Sequence, residues 1–126
     1  MIEGIVLASA SRTATTAARL PDNLEGYRGV MLVIDVTTTP GAETLTLQLE
    51  WGYASGNSSA WEPLTAFGTV TGNGQYVYII YPGAVETAAI ADQQVSAIPI
   101  PFRTRINITH SSTGAWVYAV SYTMLP

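Results

Sequence analysis

His110 is the only histidine in the sequence, and there is no cysteine. The lack of cysteine removes disulfides, thiolate metal sites and thiol nucleophiles together. Zinc would then need more than one histidine. His110 stands at the end of an alternating segment, beside Thr109 and Ser111. That is the place of an exposed or capping imidazole rather than of a general base. A serine triad would need a carboxylate behind the histidine and a serine on a constrained turn, and no Gly-x-Ser-x-Gly elbow occurs.

Glu50 and Glu62 would form a glycosidase-like dyad if their segments paired. Glu50 falls on the polar side of its run, so solvated surface is the expectation for it. Calcium has no Asp-x-Asp-x-Asp loop to enter. Gly72-Asn73-Gly74 precedes a tyrosine-rich segment instead of a helix, so it reads as turn chemistry and not as a phosphate cradle. Asn57-Ser58-Ser59 and Asn107-Ile108-Thr109 match the glycosylation sequon, a common chance match. The inventory points to a protein that is not an enzyme, with no cofactor and no metal.

The elements that position these residues are strands. Leu45, Leu47, Leu49, Trp51 and Tyr53 alternate with Thr44, Thr46, Gln48, Glu50 and Gly52, the period of a half-buried strand. Trp116, Tyr118, Val120, Tyr122 and Met124 repeat the pattern. Val30 to Val36 is apolar on both sides until Asp35, which predicts a central strand covered on both faces. Gln75 to Tyr81 is similar, and Tyr76 and Tyr78 within it are candidates for core or interface positions because their hydroxyls need a partner. From Phe102 to His110, the residues Phe102, Thr104, Ile106 and Ile108 alternate with Arg103, Arg105, Asn107 and Thr109 to give one polar, cationic face.

Turn residues fall between these runs at Pro40-Gly41, Ser55-Gly56-Asn57, Gly72-Asn73-Gly74, Pro82-Gly83 and Ser112-Thr113-Gly114. Thr71 to Gly74 reads as a hairpin joining the Trp61 to Phe67 segment to Gln75 to Tyr81. Ser11 to Gly26 fits a strand, an extended arm or a loop. Ala84 to Gln94 fits a turn or two of helix, with a long loop favoured by the flanking prolines. The fold class is all-β: an antiparallel β-sandwich or jelly roll of about 7 to 8 strands. Residues 1–126 make one domain, with residues 1–27 as an N-terminal strand or arm.

Composition limits the partners. Of 126 residues, 48% are hydrophobic and 11% charged, against the usual ~25% charged. All five cationic residues are arginines, and the net charge is −4, so no electrostatic footprint for nucleic acid exists. Arginine without lysine suits carboxylate pairing at interfaces, and it also fits compositional drift. No apolar run approaches the ~20 residues that span a bilayer, so no membrane partner is expected. Trp51, Trp61 and Trp116 with seven tyrosines suit a filled core, a subunit interface or a sugar-stacking platform.

The order of motifs resembles small structural proteins of tailed bacteriophage virions. An early Arg12-Thr13-Ala14-Thr15 is followed by Arg28-Gly29-Val30 opening the strand Val33-Ile34-Asp35-Val36-Thr37, and then by Leu45 to Trp51. Tyr81-Pro82-Gly83, Ile100-Pro101-Phe102-Arg103-Thr104-Arg105-Ile106 and an aromatic last strand continue the similarity. The resemblance implies a head decoration protein of the virion, binding the outer surface of the major capsid protein lattice and stabilising it as a homotrimer or other cyclic homo-oligomer. A tail or baseplate β domain shares the pattern, and a carbohydrate-binding module using its tryptophans is the competing class. Under the decoration reading Arg12, Arg19, Arg28, Arg103 and Arg105 pair with carboxylates across subunit boundaries.

Overall fold

The computed structural model describes residues 3–52, 61–90 and 93–126, and every regular element in them is a strand. Tyr53, the Ser55-Gly56-Asn57 turn and the Asn57-Ser58-Ser59 sequon lie outside the described residues. In chain order the strands are β1 (Glu3–Arg12), β2 (Thr16–Arg19), β3 (Gly29–Thr38), β4 (Leu45–Gly52), β5 (Trp61–Val70), β6 (Gly74–Ile80), β7 (Thr87–Ile90), β8 (Gln93–Ser96), β9 (Thr104–His110) and β10 (Trp116–Leu125).

A six-stranded sheet runs β1-β10-β3-β6-β8-β7 and a four-stranded sheet β2-β9-β4-β5. Setting β7 and β8 aside, the order is β1-β10-β3-β6 over β2-β9-β4-β5, in which the chain passes repeatedly between sheets. That order is a jelly roll of eight strands, and β7 with β8 extends one sheet. All pairings are antiparallel except β6 with β8, which is parallel. The two added strands occupy the Ala84 to Gln94 stretch expected to be a long loop. Ser11 to Gly26 is divided between the end of β1, the short β2 and a loop.

Alternation does the packing. Val30, Leu32, Ile34 and Val36 on β3, Tyr76, Tyr78 and Ile80 on β6, and Trp116, Tyr118, Val120 and Met124 on β10 face Leu45, Leu47 and Leu49 on β4 and Ile106 and Ile108 on β9. The other side of β3 is not covered as expected. Met31, Val33 and Asp35 are only partly buried, because no described element forms a third layer there.

The expected hairpin at Thr71 to Gly74 is instead a corner. β5 belongs to the four-stranded sheet and β6 to the six-stranded one. The Tyr76 hydroxyl holds this corner, donating to the Gly72 carbonyl at 2.9 Å and accepting from the Gly72 N–H at 3.2 Å. The arrangement resembles the tyrosine corner of other sandwiches, where a hydroxyl satisfies the backbone a few residues upstream. A two-residue hairpin would have kept both strands in one sheet, and local turn chemistry does not distinguish the two outcomes.

Candidate interaction surface

The strands bring residues from distant parts of the chain to the two ends of the roll. At one end lie the start of β1, the loops at residues 20–28, 81–86 and 97–103, and the chain terminus after β10. This end receives Arg19, Arg28, Arg103 and Arg105, so it is called the arginine end. The opposite end receives Arg12, Glu43, His110 and the β5–β6 corner, and is called the histidine end.

At the arginine end the register of the four-stranded sheet sets the side chains. Arg19 is opposite Arg105, Arg105 is opposite Glu50, and Gly52 is opposite Trp61. Two arginines directly across from one another repel. Each is compensated by its own carboxylate: Arg19 bonds Asp22 at 2.6 Å, and Arg105 Nε donates to Glu50 Oε1 at 2.5 Å. Both guanidiniums also lie near the Trp61 ring, at 5.7 and 4.8 Å from its centroid. Cation–π attraction of this kind contributes roughly 0.5–1 kcal/mol at an exposed site.

Glu50 is therefore not the solvated carboxylate expected from the alternation. It is only 8% exposed, beside an irregularity in the β4–β5 register between Leu49 and Glu50, and Arg105 compensates its charge. Glu62 sits opposite Trp51 on the edge strand β5, and Glu50 is opposite Pro63, so the suggested dyad does not form a facing pair.

Arg103 precedes β9, and its carbonyl accepts the Gly52 N–H at 2.9 Å. A Cβ at residue 52 would come within 3.1 Å of both Arg103 Cδ and Trp61 Cζ3, so the glycine makes room for the arginine stem and the indole together. Arg103 Nε is buried and has no hydrogen-bond partner. Arg28 stacks over Tyr81, 5.2 Å from the ring centroid.

The same end exposes apolar surface. Ile5 is 71% exposed, Leu24 81%, Val85 85% and Phe102 49%, and these are the large hydrophobic residues most open to solvent among those described. Phe102 was expected on the inward side of its strand. It lies before β9 begins, in the loop whose carbonyl accepts the Asn23 N–H, so the alternation does not extend to it. Ile5, Leu20, Leu24 and Tyr122 line a groove of about 540 Å³ beside the Arg19–Asp22 pair, between the edges of the two sheets.

The histidine end is bonded to itself. Arg12 donates to the carbonyls of Ala8, Ala10 and Tyr118 and lies over the Tyr118 ring at 4.6 Å. It fastens the edge strand β1 to β10 and is not an open interface residue, because its donors are already engaged. His110 Nε2 contacts the fully buried Tyr118 hydroxyl at 3.0 Å. Burial pushes the His110 pKa down, Arg12 adds to the fall, and Glu43 opposes it. Burial pushes the Tyr118 pKa up, with Thr16 and Arg12 opposing. Glu43 Oε1 accepts the Gly114 N–H at 3.1 Å, and a Cβ on Gly114 would meet Glu43 Oε2 at 2.3 Å and Pro40 Cβ at 2.5 Å.

Three aromatic candidates are core residues and cannot offer contact area in the folded chain. Trp116 is wholly buried, Tyr76 holds the corner, and Tyr78 stacks on Phe67 at 4.4 Å and donates to the Gly68 carbonyl. Burial, with Tyr76 nearby, pushes the Tyr78 pKa up to about 12. Of the ten candidate interface residues, Arg19, Arg28, Arg103, Arg105, Trp51 and Trp61 gather at the arginine end, with both tryptophans partly exposed. Sequence reasoning did not single out Leu24, Val85 or Phe102. Their signal was large apolar residues next to turn-forming Asp, Asn, Pro and Gly, where burial is not expected. Among the described residues, no three His, Asp or Glu side chains lie together in a way that would hold a metal. No protein-family model matches the sequence, and no curated protein matches it as a relative.

Proposed function

We propose that this chain is a non-enzymatic structural protein of a virion. In this reading it is a decoration protein that docks its arginine end on the outer surface of a major capsid lattice and stabilises that lattice as a cyclic oligomer. The observation that carries the reading is the convergence of Ile5, Leu24, Val85 and Phe102 at the end that also holds four of the five arginines. Apolar surface next to partly exposed aromatics and arginines is the composition of an interface core. The jelly roll supports it by fold analogy, since that architecture recurs in viral capsid and lectin domains. His110, the residue any acid–base enzyme of this composition would use, is engaged with Tyr118 instead.

The test is sedimentation of the purified chain with capsid shells assembled without it, followed by electron microscopy of the complex. Saturable binding with density on the outer surface, the arginine end against the shell, is the expected result. Absence of binding to shells ends the decoration reading. Binding to neutral glycans that is lost on Trp61→Ala would replace it with a carbohydrate-binding module.

A further inference from the structure

Arg19, Arg103 and Arg105 surround one small area of the four-stranded sheet, and two of them already show what this area binds. Arg19 is paired with the carboxylate of Asp22 and Arg105 with that of Glu50. The third differs in one respect only. Its stem occupies space left by Gly52 beside Trp61, its Nε is buried, and no acceptor meets it. A guanidinium offers a planar fork that matches a carboxylate through two parallel bonds, and a buried donor without an acceptor is costly to leave unmade.

We infer that Arg103 is the receptor for a carboxylate presented by the partner protein, the side chain of an aspartate or glutamate on the docked surface. The inference rests on the docking reading above and names the contact that fixes its register. The partner's carboxylate completes a third ion pair next to the two internal ones. Arg105 and Arg19 are held by their own carboxylates and by Trp61, so the incoming acid meets Arg103 as the cation still lacking one. The exposed Phe102 is adjacent in sequence, which places apolar contact area beside the charged contact. A protein carboxylate is favoured over a sugar acid because both occupied sites are already filled by protein carboxylates.

The experiment compares wild type, Arg103→Gln, Arg103→Lys and Leu24→Ser for binding to capsid shells that lack the chain, with thermal unfolding of each variant alongside. Arg103→Gln is expected to weaken binding at least ~30-fold, equivalent to about 2 kcal/mol for loss of one partner of a desolvated pair. Its unfolding temperature should be unchanged or higher, because the unsatisfied donor is internal to the free chain. Arg103→Lys should fall between the two, keeping the charge and losing the fork. Wild-type-like binding by Arg103→Gln, with binding lost in Leu24→Ser, overturns the carboxylate inference and leaves docking in place. Failure of wild type to bind shells overturns both. Competition by soluble polygalacturonate but not by polyglutamate identifies a sugar acid as the ligand and overturns the inference as stated.

Discussion

The same strands supply both ends of this jelly roll, yet the ends are finished differently. At the histidine end the polar side chains are turned inward on the chain. Arg12 spans three carbonyls, Tyr76 closes the β5–β6 corner, and Glu43 accepts the Gly114 N–H. At the arginine end the pairing stops one arginine short, and four large apolar side chains stand in solvent. The two ends therefore divide the labour that sequence reasoning assigned to all five arginines alike. One end keeps the roll closed, and the other leaves surface unspent.

If that division is real, substitutions at the histidine end should cost stability and leave docking affinity alone. The largest expected effect is Arg12→Ala, which removes three charge-assisted bonds to backbone carbonyls and the stacking on Tyr118, and releases β1 from β10. Roughly 2–3 kcal/mol of unfolding free energy should be lost, measured by denaturant unfolding. A loss below about 0.5 kcal/mol would mean that Arg12 is not a fastener. Tyr118→Phe should cost less, about 1–2 kcal/mol, since it deletes one hydroxyl and leaves His110 Nε2 without its partner.

How far the sequence carried this division depends on the range of the signal. Strands β3, β4, β9 and β10 were legible because their inward residues repeat every second position and a buried face enforces the register. The pairing of Glu50 with Arg105 was not, since it joins residues on β4 and β9 whose neighbourhood is set by sheet order and not by spacing. The corner at Thr71 to Gly74 failed for the same reason: a Gly-Asn-Gly turn is compatible with a hairpin and with a sheet crossing. Trp116 and Tyr118 look like any amphipathic aromatic in sequence, and only the jelly-roll order places β10 between β1 and β3, where both rings are enclosed. Four of the five arginines converge at one end, while Arg12 stands at the end of β1 that reaches the opposite side.

The pH response sharpens the contrast, because the titrating histidine sits at the closed end. Burial holds the folded-state pKa of His110 below the ordinary value of 6.5, so between that lowered value and 6.5 the unfolded chain binds more protons than the folded one. Stability is then complete above pH 6.5 and declines as the pH falls through this window. The unfolding temperature of wild type should drop across it, and His110→Gln should flatten the slope. Docking measured over the same window should follow the carboxylates of the arginine end and not His110. A histidine-dependent loss of docking would join the two ends and break the comparison.

The smallest stability effect is expected where the functional effect is greatest. Leu24 and Phe102 are exposed, so replacing both with serine removes little area that folding buries, and the unfolding free energy should change by no more than about 0.5 kcal/mol. Solubility should rise, because exposed apolar groups clustered at one end favour association. Docking should fall steeply, since the apolar part of an interface supplies most of its driving force once polar partners are matched. A double variant that unfolds at markedly lower denaturant would show that Leu24 and Phe102 cover the groove between the sheet edges as part of the fold. The arginine end would then be as closed as the histidine end, and the asymmetry on which the docking reading rests would disappear.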